Sequence, residues 1–443
     1  MRIQLSDSFT YSKLIRFTLP SIAMMVFTSI YGVVDGYFVS NCVGKTPFAA
    51  VNFIMPVLMV LGAAGFMFGT GGSALVAKTL GEGNHEKANR NFSLFVYATL
   101  VCGIIIAALG TAFLPDIASL LGAEGEMLEN CVTYGRIILL ALPVFMIQLE
   151  FQSFFITAEK PQLGLFVTIA SGVTNMVLDA LLVAVFQLGL VGAAAATAIS
   201  QGVGGIIPLV YFSRPNTSLL RIGKTDFDGR ALLKACTNGS SELMSNISMS
   251  IVGMLYNIQL MEYAGEDGVA AYGVLMYVGF VFNAMFIGYS IGTAPVIGFH
   301  FGARHEDELK SLLRKSIRII LICSVGMVVT AELLAVPFSK IFVGYDEALF
   351  ALTRRGFLIY SFSFLFSGTA IFGSSFFTAL NDGLTSAIMS FLRTLVFQVA
   401  AILLLPLIWG IDGVWISVVA AEVMAAALTV FFLIVKRKKY GYM

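Results

Sequence analysis

Two aspartates lie inside long apolar runs of this chain: Asp35, within the run from about Leu14 to Cys42, and Asp179, with Asn175 one helical turn before it. An ionisable group at membrane depth costs several kcal/mol and faces a cavity or a partner. Asp35 and Asp179 each fall about seven residues before the outer end of a predicted helix, and Thr197 about seven after the outer start of the next, so at 1.5 Å per residue all three reach one depth. Asn175 shares the helix face of Asp179. Two carboxylates, an amide and a hydroxyl at one level are hard oxygen ligands for a small cation. Two close carboxylates can instead share one proton, because like charges resist ionising together. Either use makes Asp35, Asn175, Asp179 and Thr197 a coupling-cation site for Na⁺ or H⁺. The alternative is a structural hydrogen-bond network that packs three helices together.

The elements that must position these residues are long apolar helices. Of 443 residues, 58% are hydrophobic and 12% charged, where a soluble chain carries roughly 25% charged residues. Burying that much apolar surface needs lipid, and one span takes about 20 residues. Twelve spans are expected, at about 14–42, 47–76, 91–113, 131–157, 161–186, 190–212, 234–262, 268–300, 311–336, 351–378, 382–408 and 411–435. Gly and Pro punctuate most joints, as at Lys160-Pro161 and Gly189–Gly192.

The chain also repeats itself. A shift of 221 residues carries Gly32 onto Gly253, Gly44 onto Gly265, Gly71 onto Gly292, Gly81 onto Gly302, Gly135 onto Gly356 and Gly189 onto Gly410. Six spans per repeat make the two copies run parallel, an arrangement of secondary transporters whose substrate path lies at the seam. The expected fold is an all-α integral membrane protein with two pseudo-symmetric six-helix lobes. Residues 1–212 form the first lobe, 213–233 a connecting cytoplasmic loop, and 234–443 the second lobe with a basic tail. Basic loops alternate with acidic ones, and Lys436-Arg437-Lys438-Lys439 belongs to the basic set. The excess of Lys and Arg on one side places both termini in the cytoplasm of a cell whose plasma membrane the chain spans.

Other deep charges are Arg393 and Glu422, which enter their helices from opposite sides, reach mid-membrane and are expected to pair. Gln148 and Glu150 in span 4, Glu242 near the inner third of span 7 and Tyr256 are candidates for the substrate cavity; for Glu242 a solvated place at the inner rim is equally open. Tyr256 is the repeat partner of Asp35, and Ala400 that of Asp179, so a coupling site here belongs to the first lobe alone. A minority of the 38 Phe, lining the seam, would suit flat lipophilic cations through cation–π contact. Five scattered cysteines fit packing rather than disulfides or zinc. A net charge of +1 gives nucleic acid no footing. Metalloprotease, Walker A, prenyl-diphosphate and nucleophile-elbow motifs are all missing, so the chain is expected to be no enzyme and to need no cofactor beyond the coupling ion.

Several stretches, taken in order, resemble the multidrug and toxic compound extrusion (MATE) family on its MepA-like bacterial branch. They are Leu19-Pro20-Ser21 followed by Val33-Val34-Asp35, Gly69-Thr70-Gly71-Gly72-Ser73-Ala74 leading to Leu80-Gly81, Asn175-x-x-x-Asp179, and Gly189-Leu190-x-Gly192-Ala193-Ala194-x-Ala196-Thr197. Second-half echoes include Gly292-Thr293-Ala294-Pro295 and Gly410-Ile411-Asp412-Gly413. The resemblance covers about residues 10–437. It implies a V of two lobes around a central cavity, and export of chemically varied, often cationic drugs in exchange for Na⁺ or H⁺. The expected partners are small-molecule drugs or organic cations and membrane lipid, and the expected state is a monomer. Carried over, the family's cation site falls on Asp35, Asn175, Asp179 and Thr197. Family branches with acidic groups in helix 10 find no counterpart here, since span 10 holds no Asp or Glu, and Glu242 is the remaining acidic candidate of the second lobe. A rival within the superfamily, a flippase for lipid-linked sugars, would want a strongly cationic cavity, and the spans hold one deep Arg.

Overall fold

The computed structural model describes residues 3–38, 42–43, 45–344 and 346–442; Gly44 of the repeat lies outside them. Among the described residues there is no β-strand. That follows from the solvent: with no water in the bilayer core, a segment that closes its own backbone hydrogen bonds is one of the few that can cross. The helices are α1 Tyr11–Phe38, α2 Lys45–Gly81, α3 His85–Leu120, α4 Gly125–Thr157, α5 Pro161–Val185 and α6 Gly189–Ser213. Residues 214–228 are non-helical. The helical run Gly229–Gly302 is broken at Gly265, whose φ of 61° and ψ of −149° only glycine adopts readily, so it holds two spans, α7 (229–264) and α8 (266–302). Then come α9 Glu306–Val343, α10 Glu347–Ala379, α11 Gly383–Trp409 and α12 Ile411–Tyr440.

Most helices outrun the apolar windows that announced them. The inter-lobe loop is shorter than the expected 213–233 because Asp228 accepts from Arg230 N and Ala231 N, starting α7 at Gly229. Asn84 likewise starts α3 at His85 and Asp346 starts α10 at Glu347. An apolar window ends where lipid ends; a helix continues into water until a cap stops it. Between α10 and α11, Asp382 caps α11 and accepts from Tyr440. Burial pushes its carboxyl up, but the donors Tyr440 and Thr385 and the Lys436 ammonium outweigh that and hold it below the usual range.

The two halves meet at the end that carries the basic loops, and they meet backbone to backbone. A Cβ on Gly81 would come 2.0 Å from Phe299 O, and one on Gly302 would come 2.0 Å from Lys78 O. Those residues exchange under the repeat, so the contact is self-complementary. Gly71 lies against Ala235 O and Gly239 of α7, and Gly239 against Met67 O of α2. On the other side of the pseudo-axis, Gly292 of α8 lies against Thr18 of α1.

Residues before α1 lace this end shut. Leu5 N donates to Glu159 Oε1 at the α4–α5 turn (2.8 Å), and Phe9 N donates to Glu308 Oε1 of α9 (2.8 Å). Lys315 Nζ donates to Phe9 O, and Arg318 to the Tyr11 hydroxyl at 3.0 Å. Leu5 and Phe9 are buried in the core of the second half. On the opposite flank, Asn381 accepts from Asn238 (2.6 Å) and donates to Ala74 O of α2 (3.2 Å).

If these glycines hold the basic end closed, Gly81→Leu must force it apart. Overpacking of this kind costs about 1–3 kcal/mol, about 5- to 150-fold in a two-state equilibrium. A cysteine placed at Ala77, which is fully buried against Gly298, reports it. Its reaction with a water-soluble maleimide should accelerate severalfold in the Gly81→Leu background, and an unchanged rate would show that the seam does not depend on this contact.

Candidate functional site

Asp35 approaches from α1, Asn175 and Asp179 from α5, and Thr197 from α6. Local sequence explains their convergence. Gly172 lets α5 press on α1: a Cβ there would come 2.5 Å from the Phe27 ring and 3.0 Å from that of Tyr31. At Asp179 the α-helical ladder of α5 loosens into a π-helical segment, Asp179–Val185. Such bulges insert one residue and re-aim side chains, and they recur at functional sites. Gly189 (φ 58°) then turns the chain, and Gly192 passes close to Leu182 O, returning α6 along α5 with Thr197 at the same level.

The side chains come together. Asp35 lies within interaction range of both Asp179 and Asn175, and Tyr134 of α4 within range of Thr197 and both aspartates. Asp179 and Asn175 are 0% and 2% exposed. Yet Asp35 Oδ1, Asn175 Oδ1, both carboxyl oxygens of Asp179 and Thr197 Oγ1 are all buried without a hydrogen-bond partner. Buried polar atoms are nearly always paired, and each exception asks for a reason. Five unpaired oxygens around two carboxyls form a set that a small hard cation or a shared proton would satisfy. Among the described residues no three His, Cys, Asp or Glu side chains converge, so the set is two carboxyls completed by neutral oxygens.

Tyr134 escaped the sequence reading for a geometric reason. Span 4 was expected from residue 131, which leaves Tyr134 at the surface; α4 starts at Gly125, which places it more than two turns inside. Its hydroxyl also points to Met55 Sδ at 4.0 Å.

The other expected residues are spread out. Arg393 and Glu422 form a forked ion pair, with contacts of 2.9–3.2 Å. Tyr256 is not on an open path: it is 1% exposed, its hydroxyl donates to Gln398 Oε1 (2.9 Å) and its ring stacks on Tyr272 at 5.3 Å. Gln148 is buried too, donating to Ser171 Oγ (3.3 Å) beneath Gly204. Glu150 is fully enclosed rather than lining a cavity, because α4 turns it away from the α5–α6 face that takes Gln148, toward α2 and α3. Glu242 on α7 remains half-buried and feels the charge of Arg393 of the same half.

Comparison with known proteins gives one picture. The MatE family model matches residues 20–181 and again 243–404, once per repeat. The multidrug export protein MepA of Staphylococcus haemolyticus is 26% identical over 429 residues, covering 96% of this chain and 93% of its own. A crystal structure of a MATE protein in complex with MaL6 superposes with a TM-score of 0.92 at 22% identity, over 98% of each chain. The outward-facing structure of a multidrug resistance MATE transporter of the MOP superfamily superposes at 0.90, also at 22% identity, over 96% of each. The V-shaped two-lobe fold expected from the sequence is the fold of these structures.

The ion pair gives a test of stability. Losing one partner of a buried pair costs about 3–5 kcal/mol, while replacing both by apolar groups is often neutral. Glu422→Gln should therefore lower the melting temperature of the purified protein clearly, and Arg393→Leu with Glu422→Leu should recover most of the loss. Equal losses would mean that the charges are independently solvated.

Proposed function

The chain belongs to the MatE family, whose members are transporters rather than enzymes, and from that premise we propose that it is a secondary-active multidrug efflux antiporter. It exports lipophilic and cationic compounds in exchange for Na⁺ or H⁺. The observation that carries this reading is the group of five unpaired oxygens around Asp35 and Asp179 in the first lobe only. An energy source is needed, and a cation that enters this set supplies one. By the positive-inside rule the closed, basic end faces the cytoplasm, with both termini there and the acid pair in the outer half of the membrane.

Exchange then runs as follows. With the basic end shut, the cavity is open outward and the cation reaches Asp35, Asn175, Asp179 and Thr197. Na⁺ lets both carboxyls stay ionised and H⁺ is shared between them; either relieves their repulsion, draws α1 and α5 together and favours the state in which the halves part at the basic end. It can shift that balance only by its difference in affinity between the two states. Opened inward, the site loses its cation and the seam takes up substrate, with half-buried Glu242 as the group that meets a positive charge. The seam takes no lipid diphosphate, because Arg393 is already neutralised by Glu422. The protein works as a monomer, since one chain supplies both lobes.

Efflux of ethidium from pump-deficient cells tests the reading. Wild type should expel the dye, Asp35→Asn should lose most of that activity, and an imposed Na⁺ gradient should speed wild type if Na⁺ is the ion, whereas a pH gradient should do so if it is H⁺. Full efflux by Asp35→Asn would remove the coupling role from this site.

A further inference from the structure

One buried carboxyl takes no part in that mechanism. Glu150 lies in α4, two turns before its basic end at Thr157, with 0% of the residue exposed. Neither carboxyl oxygen has a hydrogen-bond partner. The polar group within its reach is Thr99 Oγ1 of α3, itself fully buried and unpartnered. Toward the basic end the site is walled by rings, with Phe154 packed against Phe92 (4.9 Å between centroids) and Phe92 against Phe151 (5.9 Å). The backbone of α2 is pressed on that of α4 at this residue: a Cβ on Gly69 would come 2.9 Å from Glu150 Cα.

No charge balances this carboxyl. Of the elements packed on α4, α2 presents Gly69 and α3 presents Thr99, and no titratable or charged group of α2, α3, α5, α6 or α7 acts on it. An ionised carboxylate in such a dry site costs several kcal/mol, and the group takes a proton instead. One carboxyl and one hydroxyl are too few oxygens to hold a metal cation. The Asp35 set differs in offering several oxygens from three helices.

We propose that Glu150 is a second proton-binding site of the first lobe, loaded while the basic end is closed and unloaded when it opens. The link to closure is geometric. Gly69 lies against the backbone of Glu150, and Gly71, two residues on, lies against Ala235 O across the junction of the halves. The same turn of α2 therefore holds the α4 backbone at Glu150 on one face and the lobe seam on the other. When the halves part, α2 loses its support at Gly71, and the packing of α2 on α4 at Glu150 loosens with it. Water then reaches the carboxyl, the proton leaves toward the basic end, and the carboxylate is solvated until reclosure returns a proton from water. This rests on the antiporter reading for its two states, but the loaded site itself does not.

Infrared spectroscopy of the purified protein at neutral pH tests the loaded site directly. The carbonyl band of a protonated carboxyl should be present in wild type, should persist in Asp35→Asn with Asp179→Asn, and should be lost in Glu150→Gln, which keeps the side-chain shape. Thr99→Val should shift the same band by removing its one polar neighbour, which covers the case of a Glu150→Gln variant that folds poorly. A band unchanged by both substitutions overturns the proposal. In vesicles, acidifying the side that faces the basic end should slow wild-type export severalfold by holding the proton on, and Glu150→Gln should export at a rate independent of that pH. If Glu150→Gln loses the band yet keeps the wild-type pH response, the coupling to opening is overturned. If Asp35→Asn retains full efflux while the Glu150 band stands, the antiporter reading fails and the proton site does not.

Discussion

The backbone of α2 is the part of this molecule on which the rest depends, because six of its glycines are approached too closely for any side chain. In lipid the hydrophobic effect does not drive helices together, and close packing of small residues takes its place. Gly62, Gly65 and Gly69 receive Phe145, Met146 and Glu150 of α4, Gly72 receives Phe95 of α3 and Phe154 of α4, while Gly71 and Gly81 receive α7 and α8 of the other half. A helix joined in this way to its own lobe on one face and to the opposite lobe on another cannot shift without changing both. Interiors packed so densely pass small shifts on rather than absorb them.

The two halves share a backbone plan and differ in chemistry. At the position of Asp35 the second half has Tyr256, whose hydroxyl is satisfied by Gln398 and whose ring is stacked on Tyr272. Its deep charges, Arg393 and Glu422, neutralise each other through three hydrogen bonds. The first half keeps Asp35 Oδ1 and both carboxyl oxygens of Asp179 and of Glu150 without a hydrogen-bond partner. The deep charges of the second half are thus satisfied within it, and those of the first half are not.

How much of this was legible in the sequence follows from what each residue type reports. Glycines related by 221 residues announced the repeat, because Gly189 and Gly410 both require positive φ and Gly81 and Gly302 both require bare backbone. The carboxyl pair was legible because charge at membrane depth is expensive and depth follows from helix rise. Tyr134 was not, since a tyrosine near an apolar boundary reads as an interface residue until the true helix start is known. Gln148 and Glu150 were both candidates for the cavity; two residues apart on a helix means nearly opposite faces, which the sequence does show, but only the packing of α4 decides which face meets which neighbour. The lacing by Leu5 and Phe9 had no signal at all: it joins residues 154 and 299 positions apart through backbone groups, which every residue carries.

The nature of the closed seam limits what can open it. The ion pairs at this end, as Lys13 with Asp7 (2.9 Å) and Lys78 with Glu82 (3.7 Å), join residues of one half and are exposed or partly so, and such pairs contribute at most about 1 kcal/mol each and weaken with salt. Besides the hydrogen bonds of Glu159, Glu308, Lys315 and Arg318 to the Leu5–Tyr11 segment, what holds the seam is the burial of Leu5 and Phe9 and the approach of bare backbone at Gly71, Gly81, Gly239 and Gly302, which ions do not screen. These contacts are lost together or kept together, since each is a fixed point on a rigid helix. The closed end therefore behaves as a bistable element, and a bistable element responds to a bias applied elsewhere on the same rods. α1 carries Asp35 toward one end and Thr18, against Gly292, toward the other. In the proposed mechanism a cation that redraws the contacts of Asp35 would act on that rod, and the seam about 17 residues along it, on the order of 25 Å at helical rise, would be where the bias is read.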